Sequence, residues 1–156
     1  MKKLSNDPHT IEVPFSSAPT RFRDLLKSYS GLNKLGEIES GIHECFVTET
    51  DAPKMFFGGK KTIYSIICFH DEYLFWGIIE DKKSDGVVCA KWSELSEVTE
   101  WEDTEKAALA DLHGVEIFGF LYMRSQRSTS FLALDKSVSG LKCRQMLKER
   151  IKIQHK

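Results

Sequence analysis

The chain lacks a dominant charge, a long apolar run and any close pair of cysteines. Its 22 basic and 23 acidic side chains leave a net charge of −1, so no global field points to nucleic acid or to a membrane surface. The longest uncharged apolar run, Tyr73 to Ile79, is far short of the roughly 20 residues a spanning helix needs. Near the start, Lys2 and Lys3 are followed by Asp7, Pro8, Glu12 and Pro14 rather than by an apolar signal-peptide core. A cytoplasmic location is the expectation.

The four cysteines, Cys45, Cys68, Cys89 and Cys143, are all more than 20 residues apart. That spacing excludes CxxC metal pairs and thioredoxin-type motifs. Cys68 and Cys89 fall inside apolar runs, where a reduced thiol acts as a small hydrophobe. The five histidines form no HxH or HExxH, and there is no GxSxG, Walker loop or GxGxxG. His70 and His113 read as surface turn residues. A Cys–His pair in space, such as Cys45 with His43 or His70, has no local support. The expectation is a protein with no catalytic residues, no metal and no cofactor.

What is present is enough for one folded domain. The chain has 156 residues, 41% hydrophobic and 11% aromatic, which suffices for a core. Residues 1–19 carry Pro8, Pro14 and Pro19 and read as a flexible or extended arm, although Ile11, Val13 and Phe15 alternate as in a sheet edge. Residues 20–36 hold a helix, with Thr20 as N-cap, Phe22, Leu25, Leu26 and Tyr29 on one face, and Gly31 as its stop.

From residue 37 to 156 the pattern is strands closed by one helix. Seven strands are expected: Ile42 to Thr48, Thr62 to Phe69, Tyr73 to Glu80, Val87 to Trp92, Val98 to Trp101, Gly114 to Met123 and Ser128 to Asp135. A helix over Ser139 to Lys152 follows, with Cys143, Met146, Leu147, Arg150 and Ile151 on one face and Arg144 mostly off it.

Several strands are apolar on both sides. Ile63, Ile67 and Phe69 alternate with Tyr64, Ile66 and Cys68. Val115, Ile117, Leu121 and Met123 alternate with Phe118, Phe120 and Tyr122. Both faces of such strands need cover, from the N-terminal helix and arm or from a second subunit. Phe118, Phe120 and Tyr122, with Arg124 and Arg127 in the next loop, are the candidate oligomer or partner surface. Charge adds a second argument for assembly. Residues 62–135 carry 6 basic and 14 acidic groups, and residues 136–156 carry 7 and 1. The acidic run from Glu94 to Glu105 reads as a solvated edge, or as a surface for the basic helix of another copy.

Residues 63–98, with Asp71-Glu72-Tyr73-Leu74-Phe75-Trp76 and Trp92-Ser93-Glu94-Leu95-Ser96-Glu97-Val98, resemble the strand core of bacterial pleckstrin-homology-like (PH-like) domains. Residues 114–151 resemble that family's last two strands and capping helix. The likeness spans roughly residues 37–152. It implies a mainly β fold, a seven-stranded bent antiparallel barrel or sandwich plugged by the C-terminal helix. It also implies a non-enzymatic binding or assembly role, with self or another protein as partner. Eukaryotic relatives bind phosphoinositides or peptides. By analogy Lys54, Lys60 and Lys61, in the loop over residues 49–61, are the candidate ligands for an anionic lipid headgroup. Glu49 and Asp51 share that loop and no Arg does. The Gly58-Gly59-Lys60-Lys61 run reads either as an anion cradle or as a plain hairpin loop. No nucleic-acid partner is expected.

Overall fold

The computed structural model describes residues 8–53, 60–80, 85–110, 112–121 and 126–154. The fold is mainly β, with two antiparallel sheets and a helix against each face of the larger one. The first sheet has the order β1–β2–β3–β4–β5, with β1 His9–Val13, β2 Ile42–Pro53, β3 Lys60–His70, β4 Tyr73–Ile79 and β5 Gly86–Lys91. The second has the order β6–β7–β8, with β6 Leu95–Glu100, β7 Gly114–Gly119 and β8 Ser128–Ala133. Helix α1 spans Thr20–Leu32 and α2 spans Val138–Gln154. The two sheets do not close into a barrel.

All seven expected strands form, and residues read as the arm supply an eighth. Its alternation decides the matter: β1 pairs antiparallel along the edge of β2, with Ile11 opposite Val47. The strand expected up to Met123 stops at Gly119, where the chain bends and the Phe120 N–H donates to the Glu94 carbonyl. Thr20 is the first helical residue rather than the cap, because Pro19 holds the cap position and offers no side-chain acceptor. Gly31 lies inside α1, which ends one residue later. Asn33 closes it, its amide donating to the Tyr29 carbonyl at 2.9 Å, and the chain then passes through Lys34 and Gly36 at positive φ.

Both faces of the central strands of the first sheet carry cover from within this one chain. On the inner face of the first sheet Phe46, Ile67, Leu74 and Trp76 pack with Val115, Ile117 and Leu132 of the second sheet and with Cys143, Leu147 and Ile151 of α2. On the outer face Cys45, Val47, Ile66, Cys68, Phe75 and Cys89 pack under α1 through Phe22 and Leu26. Each fully buried large side chain contributes about 1.5–3 kcal/mol, so α1, too short to persist alone, is held by its apolar stripe. Gly77 of β4 makes the docking possible: a Cβ there would lie 2.9 Å from the Phe22 ring and 2.4 Å from the Gly86 carbonyl oxygen.

The chain ends are tied together. The Thr10 N–H donates to Asp135 at 2.8 Å and the Asp135 N–H to the Thr10 hydroxyl at 3.1 Å. Ser137 caps α2 by accepting from the Gly140 N–H at 3.2 Å. Lys142 reaches back to both oxygens of Glu12 at 2.9 Å.

Candidate functional site

The acidic run and the basic helix meet inside one chain. Arg144, expected off the apolar face of α2, is 2% exposed. Its guanidinium forks onto Glu102 at 3.1 and 3.2 Å, contacts Glu100 closely, and donates to the carbonyls of Leu134, Asp135 and Gly114. Lys148 also reaches Glu100, at 2.6 Å. Burial works against ionisation of both carboxylates. Hydrogen bonds from Lys148 and Arg144 for Glu100, and from Arg144 for Glu102, outweigh it and hold both below the usual carboxylate range. This cluster fastens α2 to β6. Two acids of the run thus pair with two bases of the last helix within one chain. No distinctive motif marks Arg144 in sequence; the only hint is its place one residue from Cys143.

The histidines and cysteines stay apart. His43 is exposed and bonded to Asp71, whereas Cys45 is 1% exposed. The β2–β3 register places Cys45 directly opposite Cys68, with the sulfurs 3.5 Å apart. His70 stacks its ring against Tyr73 and Phe75, and its Nδ1 accepts from the Glu72 N–H. Among the described residues no group of three His, Cys, Asp or Glu could hold a metal, and no helix is long and apolar enough to cross a membrane.

Of the lysines expected to bind an anion, Lys54 lies outside the described residues. Lys60 begins β3, and only its backbone is described. Lys61 forms an ion pair with Glu80, which lowers the positive charge this corner offers. Of the expected partner surface, Tyr122 and Arg124 lie outside the described residues. Phe118 and Phe120 are half-buried and Arg127 is exposed. The Arg127 guanidinium lies 5.3 Å from the centre of the Phe120 ring. Phe118 stands opposite Glu97 on β6 and Thr129 on β8, so it lies on the face of the second sheet turned away from the core. The segment after β6 covers the far end of that face: Trp101 packs edge-on against Phe131 and Lys106 pairs with Glu116. At the other end Phe118 is half-buried, and Glu97 opposite it is exposed.

Sequence reasoning did not find the cavity between the sheets. This open-sided cavity has a volume of about 480 Å³, within the range of small-molecule sites. Its floor is the inner face of the first sheet: Thr50, Ile63, Ser65, Ile67, Trp76, Ile78 and Val88. Its wall is β8 from Ser130 to Ala133, with Leu112 and His113 beside it. The Trp76 indole N–H donates to the Ser130 hydroxyl at 3.0 Å. The cavity exists because three strands face five, so β8, paired only with β7, leaves floor uncovered. No family model, curated protein or solved structure matches this chain.

Proposed function

We propose that this chain is a non-enzymatic binding and assembly module on a PH-like scaffold, and that it pairs with a second copy of itself. The order of elements supports the scaffold: a four-stranded meander β2–β5, a three-stranded meander β6–β8, then a helix packed on the core. In that reading β1 and α1 are additions that cover the outer face.

The observation that carries the assembly reading is the strip of half-buried Phe118 and Phe120 with exposed Arg127 and Glu97. Aromatic rings and arginine dominate the energetics of protein contacts. The strip is self-complementary. Under a two-fold axis, Arg127 of one copy faces Glu97 of the other while the phenylalanines pack at the centre.

Light scattering tests this. The expected mass is twice 17.9 kDa, decreasing at high salt as the exposed ion pairs are screened. Phe118→Ala and Arg127→Glu each give monomer, and Arg127→Glu combined with Glu97→Arg restores the dimer. A monomer at every protein concentration sinks the reading.

A further inference from the structure

We infer that the cavity between the sheets is a binding site for a single unbranched aliphatic chain with a small uncharged head. This goes beyond the assembly reading and uses none of its residues. Three observations carry it. First, the groove runs between two sheets and holds about 480 Å³, a volume suited to one slender molecule. Second, among the described residues no Lys, Arg, Asp or Glu lines it. A buried charge there would have no partner, so the occupant's body is neutral and apolar. Third, the polar side chains among its described lining residues are Thr50, Ser65, Ser130 and His113. The Ser130 hydroxyl already accepts from Trp76, and His113 lies 3.6 Å from Glu102. The Thr50 and Ser65 hydroxyls, both on the β2–β3 side of the floor, and the Ser130 O–H, which can still donate, are the groups that can receive a hydroxyl head.

The free edge of β8 suggests an extended peptide as a rival. A peptide strand would pair one edge with β8. Its other edge would meet a floor of side chains, where unpaired backbone groups cost free energy. A saturated chain has no such groups. The floor crosses the four strands β2 to β5, so the span is about 14 Å, the reach of roughly twelve carbons.

Calorimetry and tryptophan fluorescence with dodecan-1-ol and octan-1-ol test this on the full chain. Dodecan-1-ol is expected to bind saturably, one molecule per chain, and to perturb the emission of Trp76. Removing four methylenes weakens binding roughly a hundredfold or more, so octan-1-ol should be far weaker. Ile78→Glu and Leu112→Glu place a charge at the rim, where the parent side chains are 44% and 40% exposed. Each should weaken dodecan-1-ol at least tenfold without changing the melting temperature. Trp76→Phe removes the optical signal of binding, with the heat of binding retained. Phe118→Ala leaves binding unchanged whether or not the dimer forms, so the two proposals fail separately. Absence of saturable binding overturns the inference, as does equal affinity for the two alcohols. A dimer that Ile78→Glu breaks, with no alcohol bound, would make the groove a contact between copies and overturn it too.

Discussion

The Arg144 guanidinium holds both carboxylate oxygens of Glu102, at 3.1 and 3.2 Å, from a position almost closed to water. Without Arg144, Glu102 loses its guanidinium and three backbone carbonyls lose their donor, with Lys148 still on Glu100. Arg144→Ala is therefore expected to lower stability by about 3–5 kcal/mol in urea unfolding. Arg144→Lys should recover little, since an ammonium cannot reproduce the fork or reach three carbonyls at once. A loss below about 1 kcal/mol would show that the cluster does not fasten α2.

Acid should undo the same joint. Glu100 and Glu102 titrate below their usual range in the folded chain, and so does Asp135, where burial is outweighed by hydrogen bonds from Ser137 and Thr10. A depressed folded value contributes stability above the unfolded value, near pH 4. That contribution disappears as pH falls through the folded value. The expected outcome is a stability curve that declines steeply below about pH 4. Its acid limb should be shallower in Glu102→Gln. An unchanged limb in that variant would assign acid sensitivity elsewhere.

Asp135 also holds the first strand. Its carboxylate accepts from the Thr10 N–H and from Ser137, across 125 positions of sequence in the first case. Asp135→Ala should raise the exchange rate of the Thr10 amide and lower global stability by about 1–3 kcal/mol. If Thr10 stays protected in the variant, pairing with β2 alone retains the strand.

Gly77 sets the seat of α1. Gly77→Ala forces its Cβ against the Phe22 ring and the Gly86 carbonyl, an overpacking expected to cost about 1–3 kcal/mol. Phe22→Ala alone should cost about 3–5 kcal/mol. The double variant should lose less than the sum, because the ring that is struck has gone. Strict additivity would place the strain at Gly86 only.

The thiols should be silent in the folded protein. All four cysteines are buried. The Cys68 thiol is pushed well up by its contact with Cys45 and by burial, Cys143 by burial, and Cys89 by burial. Thiol labelling at neutral pH should proceed at the rate of unfolding, with no fast phase. One fast-reacting cysteine would reopen the case for a nucleophile.

The strands were legible because period-two alternation and turn residues punctuate them. That Ile63 to Phe69 carries apolar groups on both sides calls for cover on both faces; α1 supplies one, as expected, and the second sheet with α2 lies over the other. The arginine site was hidden because a helical wheel shows only which residues share a face. It does not reveal that a carboxylate pair will arrive from the end of β6 and the turn after it to make a polar position buried. Cys45 and Cys68 look unrelated in sequence, since only strand register puts them opposite each other. The cavity is a mismatch between two sheets of unequal width, a property of no single segment.

The five-stranded sheet separates two cores whose members alternate along the same strands. Phe46 faces one side while its neighbours Cys45 and Val47 face the other, and Ile66, Ile67 and Cys68 repeat the pattern. Neither side can loosen without displacing the backbone that the other packs on. The molecule therefore has no weaker half to shed. Heat or denaturant should remove it in one transition, and a probe on α1 should report the same midpoint as a probe on α2.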